Sequence, residues 1–215
     1  PLARLLGAAN NTDAYHPVSP APNGAGAAAC IRLALADAGL TPEGIDYLNA
    51  HGTATVKGDI AEACAIRAVF GDLPVTVSST KGATGHMMGA GGLTEVITCV
   101  QAIRTGILPP SVGLTEQDPE CPLHLTGPTA VQQPVHAAIS NAMGFGGQNS
   151  CVIVGRCADY ILRDNKRCIN VFVHADMEKR VKTVMNRQHI SEQEAREYIR
   201  RRWSINPHVK QYGEP

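Results

Sequence analysis

This sequence of 215 residues has little from which to build a disulfide-stapled or zinc-held scaffold. Its seven cysteines, Cys30, Cys64, Cys99, Cys121, Cys151, Cys157 and Cys168, are odd in number and form no C-x-x-C pair. A disulfide framework or a zinc site is thereby disfavoured, and a reducing, cytoplasmic compartment fits. Aromatic residues make up only 4%, so the core must rest on Ala, Val, Leu and Ile. No uninterrupted apolar run reaches the roughly 18 residues needed to span a bilayer, and no signal peptide opens the chain. The phosphate-cradling G-x-x-x-x-G-K-[ST] loop is absent as well. The chain opens on Pro1 rather than Met and reads as a fragment or a processed product.

What is present is unevenly distributed. Residues 1–155 carry 6 Lys and Arg against 11 Asp and Glu, whereas residues 156–215 carry 13 against 8. So abrupt a reversal indicates two segments of different character. The 21 glycines lie largely inside motifs and imply tight turns and close backbone approaches.

Residues 1–23, rich in Pro, Asn and Gly, read mainly as loop. Residues 24–38 read as an Ala-rich helix stopped at Gly39. Residues 45–49 read as a strand running into His51-Gly52-Thr53. Residues 59–70 read as a helix that Asp59 caps, with Glu62 completing a capping-box-like start. A β-branched run at 75–79 predicts a strand. Residues 85–104 place Leu93, Val96, Ile97, Val100 and Ile103 at the spacing of a buried helix, and Gly106 stops it. Residues 107–134 read as an irregular, proline-rich connection with one short strand. Residues 137–141 and 151–154 read as strands around the turn Gly144-Phe145-Gly146-Gly147. Further on, 170–174 read as a strand and 177–186 as a basic helix. Ser191-Glu192-Gln193-Glu194 is a capping box for a last helix that ends in Arg200-Arg201-Arg202. Strands alternating with helices in this way predict a layered α/β architecture.

Three motifs carry chemistry. In Asn49-Ala50-His51-Gly52-Thr53-Ala54-Thr55, a histidine leaves a strand end at a glycine turn, and two threonines lie on one side of an extended segment. They can hydrogen-bond a linear, amide-bearing ligand; a structural histidine in a turn is the alternative. In Ser79-Thr80-Lys81-Gly82-Ala83-Thr84-Gly85-His86, the histidine falls near a helix start, where the dipole disfavours its charged form. A neutral imidazole there can donate a hydrogen bond to a developing oxyanion; a solvated lysine and an incidental histidine are the alternative. In Asn141-Ala142-Met143-Gly144-Phe145-Gly146-Gly147-Gln148-Asn149, glycines flank one aromatic. Phe145 is either a gate over a pocket or a buried turn residue.

All three motifs follow predicted strands, in order. Together with TDAYHPVSPAPNGAG and ILPPSVGL, the strings NAHGTAT, SSTKGATGHMMGAGG and SNAMGFGGQN resemble the β-ketoacyl-acyl carrier protein synthases of fatty acid and polyketide synthesis. The resemblance covers nearly all of residues 1–155 and implies the C-terminal half of a thiolase-like layered α/β fold. It implies a decarboxylating Claisen condensation of acyl and malonyl thioesters, in which His51 and His86 bind the malonyl thioester carbonyl and stabilise the enolate. Lys81 would orient and tune the second histidine. Thr53 and Thr55 would hold the phosphopantetheine arm that arrives on acyl carrier protein, and Phe145 with Gly146 would gate the pocket. No resident cofactor is implied; Glu95 near Asn141 is a plain buried carboxylate or part of a monovalent-cation site. The intact parent is expected to be a homodimer. The nucleophilic cysteine of the family sits in an N-terminal half that these residues do not match, so this chain alone is expected to be inactive and to need that half or a synthase partner. Met143 and Gly82 also depart from the commoner Phe and Ser.

Residues 150–202 resemble the C-terminal part of cytidylate-kinase-like proteins, with Arg180 and Arg187 as candidate phosphate ligands. Without the phosphate loop, kinase activity is not expected, and residues 156–215 read as a partial, basic, short α/β kinase-like tail. Interspersed acids and scarce aromatics argue against a nucleic-acid or membrane surface. Two other readings compete with the synthase: a non-catalytic partner resembling a chain-length factor, and a nucleotide-binding protein. Intact His51, Lys81 and His86 oppose the first, and the missing loop opposes the second.

Overall fold

In a computed structural model of the chain, residues 2–156, 177–188 and 190–197 are described. They fall into two separate compact units, the first holding residues 2–156 and the second the two later segments.

The first unit is built on a five-stranded sheet of order β1-β7-β6-β2-β3. Its strands are β1 (Arg4–Thr12), β2 (Tyr47–Asn49), β3 (Thr76–Ser78), β6 (Ala137–Gly144) and β7 (Gln148–Gly155). β6, β2 and β3 are mutually parallel, and β7 is antiparallel to both β6 and β1. A separate antiparallel pair joins β4 (Ile107–Leu108) to β5 (Val131–Gln132). The 107–134 connection thus holds one more short strand than the sequence suggests.

Side chains alternate across the sheet and feed two cores. On one face, α1 (Ala25–Ala38) and α2 (Val56–Phe70) cover Leu48, Val77, Ile139, Cys151 and Ile153 with Ile31, Leu35, Ile66 and Phe70. On the other, α4 (Gly91–Thr105) covers Tyr47, Ala138 and Val154 with Cys99, Ala102 and Ile103. Each fully buried isoleucine contributes about 1.5–3 kcal/mol by leaving water. The expected layered α/β arrangement is present.

Four local expectations need correction. Residues 4–12 form a strand rather than loop. Asn, Ala and Gly carry little intrinsic β preference, but the eight-position ladder with β7 supplies the backbone partners. Gly7 lies so close under α1 that a Cβ there would stand 2.5 Å from the Ala38 nitrogen, so the strand is specified by packing. Second, α2 begins at Val56, with Thr55 at its N-cap position and no side-chain cap hydrogen bond. Asp59 therefore sits inside the helix, and Glu62 is no part of a capping box.

Third, the helix expected over 85–104 is broken. α3 (Lys81–Thr84) ends at Gly85, a 3-10 turn spans Met88–Ala90, and α4 starts only at Gly91. His86 therefore lies in the link between helices and not at the start of α4. Fourth, α4 turns Glu95, Cys99, Ala102 and Ile103 to the sheet, while Leu93 (68% exposed) and Ile97 (50%) face outward.

In the second unit, α5 (Met177–Gln188) and the helical residues 192–197 meet through Val181, Val184, Met185, Ile190 and Ala195. The Ser191 capping box forms as expected: its N–H and hydroxyl donate to the Glu194 carboxylate at 2.9 and 2.7 Å. The strand expected at 170–174 and the three arginines at 200–202 lie outside the described residues.

Candidate active site

The parallel trio β6-β2-β3 brings the three motifs to one edge of the sheet. β2 ends at Asn49 and releases His51; β3, beside it, ends at Ser78 and releases Lys81. β6, on the other side of β2, pairs Ser140 with Asn49 and runs on to Gly144, where Phe145 begins the turn to β7. In open α/β sheets the carboxyl ends of parallel strands are where ligands bind.

The first two loops interlock. The Ser79 hydroxyl donates to the Gly52 carbonyl at 3.1 Å. Gly52 has φ +40, and a Cβ on it would lie 2.6 Å from the Ser79 Cβ, so the approach requires glycine both for conformation and for space. The result sets the His51 and His86 rings edge to face with centroids 5.5 Å apart.

His51 is half-buried and held from beneath. The Glu62 carboxylate, itself buried, accepts the N–H of His51 at 2.9 Å and of Gly52 at 2.9 Å. It also accepts the Asn141 amide of β6 at 2.7 Å. Burial, then the charges of Lys81 and His86, push the His51 imidazole down to about 4. At neutral pH the ring is uncharged and able to donate or accept a hydrogen bond. Burial also pushes the Glu62 carboxyl upward, while its three donors pull the other way.

His86 is exposed, and its Nδ1 accepts only the Met88 N–H, at 3.2 Å. The two residues that follow, Met87 and Met88, take φ +55 and +47, where side chains are strained. Lys81 is not solvated: its ammonium forms a buried ion pair with Glu95. Its charge bears on His51, whereas the sequence reading places its influence on His86.

The Thr53 and Thr55 hydroxyls lie 3.2 Å apart, bonded to each other on one side of the chain. Phe145 is 80% exposed, so it is not a buried turn residue, and the Gly146 N–H is tied to the Pro17 carbonyl at 2.6 Å. A groove of ≈ 430 Å³ near the end of α2, lined in part by Arg67, Asp72 and His124, includes none of the predicted site residues. The side chains of Arg180 and Arg187 lie outside the described residues.

Five buried side-chain oxygens, Asn49 Oδ1, Asp59 Oδ1, Thr80 Oγ1, Glu95 Oε2 and Asn141 Oδ1, have no hydrogen-bond partner among the described residues. Among the described residues no group of His, Cys, Asp and Glu is placed to bind a metal.

Burial pushes the thiols of Cys30, Cys99 and Cys151 upward, away from the reactive thiolate. Cys157 and Cys168 lie outside the described residues. What sequence reasoning missed at this site is Glu62. Its signal was available: an acidic residue in mid-helix, eleven positions after a strand-end histidine.

Comparison with known proteins shows what the chain is similar to. Residues 2–115 match the model of the β-ketoacyl synthase C-terminal domain. Residues 132–204 match that of the cytidylate kinase-like family, yet within that stretch Ala137–Gly144 and Gln148–Gly155 form β6 and β7 of the sheet. The chain is 41% identical over 159 residues to 3-oxoacyl-[acyl-carrier-protein] synthase 2 of Coxiella burnetii, covering 73% of this chain and 38% of that protein. Among solved structures it resembles the ishigamide ketosynthase/chain length factor, with TM-score 0.70 and 41% identity, over 72% of this chain and 38% of that one. It also resembles the ketosynthase of a type II polyketide synthase in complex with its acyl-carrier protein, with TM-score 0.70 and 30% identity over the same shares. The chain thus spans less than two fifths of the length of these relatives.

Proposed function

Because this chain belongs to the β-ketoacyl synthase family through that family's C-terminal domain, we propose that residues 1–155 supply the malonyl-binding side of a 3-oxoacyl-acyl carrier protein synthase. The observation that carries the reading is the pair of histidine rings at 5.5 Å, one of them held neutral, at the carboxyl edge of the parallel strands. Decarboxylation of a malonyl thioester leaves an enolate that needs hydrogen-bond donors aimed at its oxygen in a site with little water. His51 and His86 serve as those donors. Lys81, fixed by Glu95, adds positive charge that keeps His51 neutral. Thr53 and Thr55 offer paired hydroxyls to the amides of a phosphopantetheine arm carried by acyl carrier protein, and Phe145 on its glycine turn gates access. The acyl group itself must be held by a cysteine from outside residues 1–215. Residues 156–215 add a basic tail without the phosphate loop a kinase needs.

The chain-length-factor-like alternative draws support from relatives whose solved assemblies pair a ketosynthase with such a factor. One experiment separates the two: the full chain is combined with the cysteine-bearing N-terminal half of a related synthase, and carbon dioxide release from malonyl-acyl carrier protein is measured. Release that falls at least a hundredfold in both His51→Ala and His86→Ala supports the catalytic reading. A complex that forms but releases none, or whose release ignores both substitutions, supports the non-catalytic partner.

A further inference from the structure

α3 is the slightest support of the site. It spans four residues, Lys81–Thr84, too few for a helix to hold itself, and residues 83–90 are all exposed. Yet it begins at Lys81, whose ammonium must reach Glu95 in the interior, and it leads directly to His86. The proline-rich connection meets it at the next residue. A Cβ built on Gly82 would overlap the Val112 carbonyl oxygen and crowd the Val112 Cβ at 3.3 Å. The two backbones therefore touch where only glycine leaves room. Serine, the commoner residue here in the family, would not fit this approach.

Val112 lies in a turn closed by the Leu114 N–H on the Ser111 carbonyl at 3.1 Å, and that turn is fastened to the sheet. The Ser111 N–H donates to the Gly127 carbonyl at 3.0 Å. The Ser111 hydroxyl is bonded to the Thr126 hydroxyl at 3.2 Å, which donates in turn to the Pro109 carbonyl at 3.1 Å. Thr126 is buried. Its N–H donates to the Val77 carbonyl of β3 at 2.9 Å, and the Val77 N–H donates to the His124 carbonyl at 2.9 Å. Pro109 and Pro110 restrict the loop further. Of the two surfaces that meet at Gly82, the loop is thus the anchored one and α3 the one that yields. We propose that Val112 and Gly82 are positioning residues: the Ser111–Leu114 turn buttresses α3 and so sets where Lys81 and His86 stand against His51. The proposal rests on the reading that these three side chains form the site, but its test involves no thioester.

The test compares Gly82→Ala with Gly89→Ala in the full chain by NMR. Both add one methyl to the same segment, but a Cβ on Gly89 meets nothing within 4 Å. The readouts are the contact between the His51 and His86 rings and the titration midpoint of His51, which the Lys81 charge lowers. A buttress predicts that Gly82→Ala displaces α3: the ring contact is lost, and the His51 midpoint rises by roughly half a unit as Lys81 moves off. Burial, the larger cause, keeps it below its ordinary value. Gly89→Ala keeps both readouts as in the wild type. Unchanged histidines in Gly82→Ala, even with lower stability, show that the loop gives way instead and overturn the proposal. So does an equal change in Gly89→Ala. If Gly82→Ala does not fold, Thr126→Val decides, since it removes the hydroxyl that ties Ser111 to Pro109. Its loosening must reach the ring contact and the His51 midpoint; faster amide exchange confined to the loop refutes the buttress. No substrate enters these readouts, so failure of the synthase reading and failure of the buttress are seen separately.

Discussion

The two histidines meet within 5.5 Å but are held in opposite ways. His51 follows directly from a central parallel strand. Its backbone is bonded to a buried carboxylate, its turn is locked against Ser79, and its ring is kept neutral by burial. His86 stands in a link between two helices, exposed, with one local hydrogen bond and two left-handed methionines behind it. One half of the pair is thus pre-organised by the fold of this unit. The other rests on strained backbone, which persists only where surrounding structure over-determines it. Leu93 and Ile97, on the helix just after His86, present apolar surface outward. The contrast teaches that the β2 side of the site is complete within these residues, while the His86 side is the one open to whatever covers it.

The strongest way to break this contrast is to remove the charge lying between the two sides. Lys81→Met leaves Glu95 buried without its partner and should destabilise the chain by about 3–5 kcal/mol in denaturant unfolding. The same change should raise the His51 midpoint from about 4 while leaving it below its ordinary value, because burial is the larger cause. A smaller loss, on the order of 2 kcal/mol, is expected for Gly52→Ala, which meets both a positive φ and the Ser79 side chain. Met88→Gly should do the reverse on the His86 side. Relief of left-handed strain, offset by the greater freedom of glycine in the unfolded chain, should stabilise by about 1 kcal/mol or less. A loss of stability there would show that the loop is packed rather than strained.

Much of the site was legible in the sequence because its motifs couple strand ends to glycine turns, and both have local signatures. The β6–β7 hairpin announced itself through Gly144-Phe145-Gly146-Gly147, and the Ser191 capping box through its spacing. What escaped was set at long range. β1 is a strand because β7 pairs with it and α1 lies on Gly7. Glu62 reads as a helix-start acid until the fold lays His51, Gly52 and Asn141 around its carboxylate. The break before α4 replaces what looks like one continuous helix, since a run of glycines fits a helix start and a loop equally well. Of the apolar spacing expected on the buried face, Val96, Val100 and Ile103 do pack on the core, while Leu93 and Ile97 turn outward.

The most direct test of the account is a histidine-ring NMR titration of the full chain, with His51→Asn used for assignment and as the stability control. A buried, neutral His51 should show no charge change from pH 7 to 5 and a midpoint near 4. Between the ordinary histidine value near 6.5 and about 4, the unfolded chain binds a proton that the folded chain does not, so stability should fall with falling pH across that window, more than in His51→Asn. A midpoint near 6.5, with no such extra loss, would contradict the claim that this fold holds His51 as a neutral hydrogen-bonding group for an enolate.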